Sequence, residues 1–190
     1  MIIATVVPND YFAPWDFVSS FLNISKDYPI KTVQSCSIAH NRNLIFQETK
    51  GDLLFIDSDT IFTPEDVAII ERDLKTYDIV GGAVVLANGE LNIYKRIEGD
   101  YEYMPMQRGI FEVGAIGTGF IGISEKVISE MHEPFFPLTE GKITHGADIS
   151  FCHRAREKGF KIYCDSEIKV GHIKTRILTH EDARNYNPNL

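Results

Sequence analysis

The feature that most constrains the fold is an uninterrupted apolar segment at residues 53–56, Leu-Leu-Phe-Ile, with an aspartate on each side. Side chains of a β-strand alternate between the two faces of its sheet, so four consecutive apolar residues need cover on both faces. Such a strand is typical of the centre of a parallel sheet that has helices on both sides. Residues 52–57 therefore predict a central strand of an α/β protein.

Strand and helix patterns alternate on either side of this segment. Residues 2–7 are predicted as the first strand because they are rich in β-branched residues and end before Pro8, and residues 31–36 are predicted as a second, short strand. The third helix has the clearest start, since Thr63 can cap it and Pro64 suits its first position. The apolar faces are predicted to hold Phe17, Val18, Phe21 and Leu22 in the first helix and Val67, Ile70 and Leu74 in the third. The second helix is predicted over 38–50, where Ile38, Leu44 and Ile45 stand among polar residues and Gly51 follows the end.

The second half of the chain predicts a mixed arrangement instead of further parallel units. Asn88-Gly89 is a strong hairpin signal between strand-like residues 79–86 and 91–97. Residues 98–109 show no clear period and predict a loop or an irregular hairpin. The elements predicted after them are a glycine-punctuated strand region at 112–124, a short helix capped by Ser124, a helix near 147–158 and a strand at 161–164.

Length and charge narrow the class of protein. The 190 residues suffice for one α/β core, and we expect a single domain over residues 1–190. No stretch approaches the roughly 20 apolar residues of a spanning helix, and the first residues lack the basic start of a signal peptide. We therefore expect a soluble, cytoplasmic protein without a transmembrane segment. The formal charge of −8 argues against a broad nucleic-acid-binding face.

The three cysteines, Cys36, Cys152 and Cys164, form no CxxC pair of the kind that binds zinc. We expect buried, reduced thiols. A bridge between Cys152 and Cys164 stays open, because spacing alone cannot decide it.

The sequence Asp57-Ser58-Asp59 follows the central strand directly. On an extended backbone, residues two apart point to the same side, so both carboxylates can face one divalent cation. The carboxyl end of a parallel strand is also where open α/β sheets bind ligands. Since hard carboxylate oxygens suit Mg²⁺ or Mn²⁺, we interpret Asp57 and Asp59 as metal ligands. The alternative is two solvated aspartates in a turn.

Five short motifs follow one another along the chain: Ala39-His40-Asn41-Arg42-Asn43, Gly51 to Asp59, Gly117-Thr118-Gly119-Phe120, Gly146 to Cys152, and Val170-Gly171-His172. In this order they resemble the motifs of the GT-A glycosyltransferases, especially the members similar to family 2. The resemblance implies a three-layer α/β/α sandwich with a mostly parallel central sheet and a small antiparallel part. It also implies a metal-dependent, inverting hexosyltransferase that uses a nucleotide-diphosphate sugar donor. The compact size is similar to that of transferases encoded by viruses, which would place the protein in the host cytoplasm.

The resemblance implies roles for the acidic residues and for one histidine. Asp59 would bind the Mn²⁺ or Mg²⁺ that bridges the two donor phosphates, with Asp57 at the ribose or the metal and His172 completing the metal site. Asp148 would be the general base that deprotonates the acceptor hydroxyl. Ala147 departs from the family, which commonly has a second acidic residue there. The remaining contacts to the nucleotide sugar are implied for Pro8, Asn9, Asp10, Arg42, Ser58, Gly117, Thr118 and Gly119.

Other functions stay open beside this one. A phosphatase of the haloacid dehalogenase type also places Asp-x-Asp after a strand, but it favours Thr or Val where this chain has Ile61. A nucleotidyltransferase would need a glycine-rich, basic loop after the first strand, which is missing. A nucleotide- or carbohydrate-binding module without turnover is the third alternative. The sequence leaves the donor sugar, the nucleotide base and the acceptor (a glycan, a protein or a small molecule) undetermined. It also leaves a retaining mechanism open beside the inverting one, because the same fold serves both outcomes.

Overall fold

The computed structural model of the protein describes residues 1–7, 13–24, 27–34, 37–97, 100–140 and 143–174. Its helices and strands are, in chain order, β1 (Ile2–Val7), α1 (Trp15–Ile24), β2 (Ile30–Gln34), α2 (Ile38–Glu48), β3 (Leu53–Ile56), β4 (Thr60–Ile61), α3 (Pro64–Asp73), β5 (Ile79–Gly81), β6 (Ile93–Ile97), β7 (Asp100–Tyr103), β8 (Ile110–Val113), β9 (Ala115–Ile116), β10 (Phe120–Ile123), α4 (Glu125–Glu130), β11 (Leu138–Glu140), β12 (Ile143–His145), α5 (Ala147–Glu157), β13 (Ile162–Asp165) and β14 (Gly171–His172).

The central sheet has seven strands in the order β2-β1-β3-β10-β5-β13-β8. β1 pairs in parallel with β2 and β3, and β5 pairs in parallel with β13. β10 is antiparallel to both its neighbours and β8 is antiparallel to β13. Five strands therefore run one way and two the other, and we call the edge where the five strands end the carboxyl edge. The predicted mixed α/β fold with a mostly parallel central sheet is confirmed.

Helices cover both faces of this sheet, as the apolar segment of β3 predicts. Leu53 and Phe55 belong to the core under α2, α4 and α5. Leu54 and Ile56, which point the opposite way, belong to the core under α1 and α3. Each strand residue thus has an apolar partner on its own side, and all four are at most 2% exposed.

Three small antiparallel sheets surround the central one: β7-β6-β9, β11-β12 and β14-β4. The β6–β7 hairpin forms where residues 98–109 predict a loop or an irregular hairpin. β9 adjoins β8 in the chain and joins this hairpin to the rest of the molecule through Tyr94 and Ala115. β14 brings the late histidine His172 next to β4, just after the central strand.

Some predicted elements differ from the structure. The strand predicted at 79–86 covers only Ile79–Gly81, because these residues pair inside the central sheet with β10 and β13. The predicted hairpin is reduced to one isolated bridge between Val85 and Leu91. In α1 the prediction for Leu22 is wrong: it is 57% exposed, and Ile24 completes the buried face instead.

No helix in the described part of the chain is both long enough and apolar enough to cross a membrane. Cys152 and Cys164 are free and buried, so they are not bridged to each other. Burial raises the pKa of each of these thiols to about 12. Cys36 lies outside the described residues.

Candidate active site

The carboxyl edge brings two loop segments from distant parts of the chain together. β3 ends at Ile56 and β10, which runs the other way, begins at Phe120, so the residues after β3 and before β10 lie side by side. The Asp57 backbone N–H donates to the Gly119 carbonyl at 3.0 Å, and the Thr60 hydroxyl donates to the same carbonyl at 3.2 Å. These bonds fix the segment after the central strand.

Arg42 joins two carboxylates in this region. Its Nη2 donates to Asp57 Oδ1 at 2.6 Å and its Nη1 donates to Asp148 Oδ1 at 2.9 Å. The arginine side chain is 5% exposed, whereas the two carboxylates are 39% and 41% exposed. The guanidinium therefore lies beneath the two carboxylates, and both its terminal nitrogens donate to them.

The pKa of Arg42 and the pKa of Asp57 each depend on the neighbouring charges. Burial lowers the pKa of Arg42, but the negative charges of Asp57 and Asp148 outweigh it and raise this pKa above the ordinary value. Loss of hydration raises the pKa of Asp57, with Arg42 opposing and Asp148 adding to the increase. Since Asp57 keeps 39% of its side chain exposed, solvent screens part of this effect.

Asp148 is held at the start of α5 from two sides. It is the second residue of the helix, where the positive end of the helix dipole favours a carboxylate. Its Oδ1 accepts from Arg42 and also from the fully buried Thr118 hydroxyl at 3.0 Å. No hydrogen bond from the described residues reaches Asp148 Oδ2, which leaves that oxygen to act on a substrate.

Asp57 and Asp59 point to different partners. The Thr60 N–H donates to the Asp57 carbonyl at 3.0 Å, which makes residues 57–60 a turn. The expectation of an extended backbone with both carboxylates on one side is therefore wrong. Asp59 instead contacts His172 and Lys174, and its carbonyl accepts from the Ile173 N–H at 2.8 Å.

His172 is oriented by a backbone carbonyl. Its Nδ1 lies 2.7 Å from the Val85 carbonyl oxygen, which can only accept, so Nδ1 carries the proton. Its Nε2 lies 3.0 Å from Asp59 Oδ2, which also can only accept, so a hydrogen bond at this contact needs a proton on Nε2 as well. A cation bound between the two side chains would take the place of that proton. A histidine whose far nitrogen donates to a carbonyl is typical of metal-ligating histidines. Lys174 Nζ, at 3.2 Å from the same Asp59 oxygen, shows that this position attracts positive charge.

The side chains at the site can be compared with the ligands that the predicted Mg²⁺ or Mn²⁺ would need. Within the described residues, no three or more His, Cys, Asp or Glu side chains converge on a possible metal position. The predicted three-residue set of Asp57, Asp59 and His172 is not assembled, because Asp57 is turned to Arg42. One carboxylate and one imidazole remain, and two protein ligands with substrate phosphates suit Mg²⁺ or Mn²⁺.

Gly117 and Gly119, which precede β10, pack closely against other residues of the protein instead of facing open space. A Cβ on Gly117 would overlap the Asn92 side chain, and one on Gly119 would lie 3.6 Å from Asp57 Oδ2. Asn92 is buried, and its Oδ1 accepts from the Val84 N–H at 2.7 Å. The sequence analysis did not single out Asn92, because nothing in its neighbourhood in the chain marks it as a packing partner of Gly117.

Several of the residues that are implied as contacts to the nucleotide sugar are either buried or outside the described part of the chain. Pro8, Asn9 and Asp10 lie outside the described residues. Ser58 and Thr118 are buried, with exposures of 6% and 0%. In the structure Thr118 supports Asp148, a role that the glycine-rich motif by itself did not indicate.

The described fold is similar to that of A197 from STIV, whose crystal structure matches with a TM-score of 0.68 and 20% sequence identity over 92% of this chain and 87% of A197. The inositol-1-phosphate CTP transferase from T. maritima matches with a TM-score of 0.48 and 14% identity over 90% of this chain and 69% of that protein. No protein-family profile and no curated protein sequence matches the chain. The likeness to A197 shows a common fold.

Proposed function

We propose that the protein is a metal-dependent glycosyltransferase of the GT-A fold, which moves a hexose from a nucleotide-diphosphate sugar to an acceptor hydroxyl with inversion. The supporting observation is that Asp57 and Asp148, from opposite halves of the chain, meet on Arg42 beside the Asp59–His172 pair. Helices on both faces of a mostly parallel sheet agree with the three-layer arrangement of that fold.

The donor side of the proposal rests on Asp59 and His172. These two residues would hold Mn²⁺ or Mg²⁺, and such an ion would supply positive charge that stabilises a leaving diphosphate. Lys174 lies on the same carboxylate and would move from Asp59 to a phosphate oxygen when the donor binds. Asp57 is fixed by Arg42 and has its second oxygen left for the donor ribose.

The acceptor side rests on Asp148. In an inverting displacement, the acceptor oxygen forms a bond to the anomeric carbon while the bond from that carbon to the diphosphate oxygen breaks. The hydroxyl proton passes to Asp148, and the nucleoside diphosphate leaves with the bonding electron pair. Arg42 and Thr118 fix Oδ1 of Asp148, so Oδ2 is the oxygen that we assign to this proton.

The donor assignment is tested by calorimetric titration of UDP, GDP and their sugars into the wild type and Asp59→Ala, with and without Mn²⁺. We expect Mn²⁺-dependent binding of one nucleotide, weakened about 100-fold or more in Asp59→Ala because a charged ligand and its charge-assisted contacts are lost. Asp27→Ala is the matched control, since Asp27 is an exposed aspartate before β2, away from the carboxyl edge. Unchanged Mn²⁺-dependent affinity in Asp59→Ala would reject the assignment.

The base assignment is tested with Asp148→Asn. We expect nucleotide binding close to that of the wild type and a loss of transfer of about 100-fold or more, since general-base catalysis contributes factors of this size. Transfer can be followed as nucleoside diphosphate release. A fully active variant would exclude Asp148 as the base, and binding without release in the wild type would favour a binding module without turnover.

A further inference from the structure

A hairpin with three tyrosines on one face stands beside Asp148. β6 and β7 pair antiparallel, with Tyr94 opposite Tyr103 and Arg96 opposite Tyr101. Directly opposed residues of an antiparallel pair point to the same face, and so do residues two apart along a strand. Tyr94, Tyr101 and Tyr103 therefore share one face, which we call the tyrosine face.

The tyrosine face is attached to the helix that carries Asp148. The Tyr101 ring meets the His145 ring edge to face, with centroids 5.5 Å apart and an interplanar angle of 82°. The Tyr101 hydroxyl lies 3.3 Å from His153 Nδ1 on α5. Since His145 precedes Asp148 by three residues, Tyr101 connects the hairpin to the start of α5.

The rings of Tyr94 and Tyr103 contact each other, and the Tyr103 ring is exposed to solvent. The centroids of Tyr94 and Tyr103 are 5.1 Å apart with planes tilted by 32°, and Tyr103 is 43% exposed. Burial raises the pKa of Tyr94 to about 12, and the charges of Tyr103 and Asp148 add to it. The partly buried Tyr94 ring thus lies next to the exposed Tyr103 ring on the same face of the hairpin.

We infer that the tyrosine face binds the acceptor and that the acceptor is a carbohydrate. A pyranose ring has a face of C–H groups that packs on an aromatic ring, and its hydroxyl rim can bond phenolic oxygens. The contact of Tyr101 with His145, three residues before Asp148, brings this face to the start of the helix that carries Asp148. A lipid acceptor would need a continuous aliphatic surface, whereas this face carries three phenols and Arg96. The inference rests on the proposed function, because it assigns the acceptor of the same site.

The test is saturation-transfer NMR with glucose, galactose, mannose, N-acetylglucosamine and cellobiose, added to the protein without donor. We expect at least one sugar to bind the wild type, with affinity reduced about 10-fold or more in Tyr103→Ala and less in Tyr103→Phe, which keeps the ring. Tyr103 is exposed enough for these variants to fold, and circular dichroism checks this. Tyr77→Ala is the matched control, because Tyr77 pairs with Tyr163 at 4.5 Å at the opposite edge of the sheet.

Parallel titration with nucleotides distinguishes a failure of the carbohydrate inference from a failure of the proposed donor chemistry. The carbohydrate inference would be overturned if none of the sugars binds, or if Tyr103→Ala and Tyr77→Ala bind sugar as well as the wild type. Nucleotide binding without sugar binding rejects this inference alone. Sugar binding that depends on Tyr103, without any nucleotide binding, leaves the tyrosine face as a carbohydrate site and rejects the proposed donor chemistry.

Discussion

Arg42 is the residue on which both halves of the site depend. It is buried at the carboxyl edge with two hydrogen bonds to carboxylates, while its Nε is buried and without a partner among the described residues. Burying a charge with an unused donor costs free energy, which the two carboxylates offset only while the arginine is present. The arrangement is better explained by the site, because one rigid guanidinium sets the separation of Asp57 and Asp148.

Replacing Arg42 tests this explanation. Arg42→Met should lower the free energy of unfolding by about 1–3 kcal/mol, since two carboxylates lose their shared cation, and Arg42→Lys should recover only part because one ammonium lacks the fork geometry. Urea unfolding measures both. Lys31→Met removes an exposed pair with Glu48 and should change stability by less than about 1 kcal/mol. Equal effects of Arg42→Met and Lys31→Met would contradict the bridging role.

At the scale of elements, the site is positioned by close packing of α3 and β10. The start of α3 is fixed by a capping box, in which the Asp66 N–H donates to Thr63 and the Thr63 N–H donates to Asp66. Asp66 also accepts from the Lys169 N–H at 2.9 Å. The helix that follows the aspartate turn is thereby tied to the segment that leads to His172.

Gly122 in β10 allows α3 to approach the sheet, and its replacement tests that contact. A Cβ at this position would lie 2.5 Å from Ile70 Cγ2 and 3.2 Å from Leu74 Cδ1. Gly122→Ala should therefore destabilise the protein by about 1–3 kcal/mol through overpacking. Gly171→Ala, also in a strand, would meet Ile61 at an ordinary 3.4 Å and should change stability by about 0.5 kcal/mol or less. Urea unfolding of both variants decides between overpacking and a general cost of losing glycine.

At the scale of the whole molecule, two apolar cores on opposite faces of one sheet define the fold. The buried cysteines Cys152 and Cys164 both belong to the core under α2, α4 and α5. A fold set by such a pattern of apolar positions tolerates wide sequence change. This agrees with the likeness to A197, in which 20% identity accompanies a TM-score of 0.68.

The core thiols predict how stability depends on pH. Burial raises the pKa of Cys152 and Cys164 from an ordinary 9.0 to about 12, so above pH 9 the unfolded chain releases protons that the folded chain keeps. Raising the pH then favours unfolding: the stabilisation is complete below about pH 9 and is lost towards about pH 12.

Unfolding free energies of the wild type and Cys152→Ala, measured across this pH range, test the prediction. The decrease should be shallower in the variant by about 1.4 kcal/mol per pH unit, because one thiol no longer titrates. The comparison cancels the titration of lysines and tyrosines, which both proteins share. Identical slopes would mean that the Cys152 thiol is accessible to solvent in the folded chain.

The sequence by itself determined the elements whose signals are local. The two-sided apolar strand at 53–56 needs cover on both faces, and the start of α3 has a cap, a proline and acidic residues within one turn. The short helix after Ser124 and the helix at Ala147–Glu157 are confirmed for the same reason. Asp57 and Asp59 could be singled out because they directly follow the apolar strand, whereas Asp148 was identified through the resemblance of residues 146–152 to a family motif.

Only the tertiary structure decided which of these residues face each other. The position of β10 between β3 and β5 depends on pairing with β3 across more than sixty residues and with β5 across forty or more, which a local sequence pattern cannot indicate. The turn at 57–60 directs Asp57 to Arg42 and Asp59 to His172, although spacing alone predicts one shared direction. Partners of buried charges are chosen by three-dimensional proximity, because electrostatic and hydrogen-bond energies depend on distance in space and not on separation along the chain.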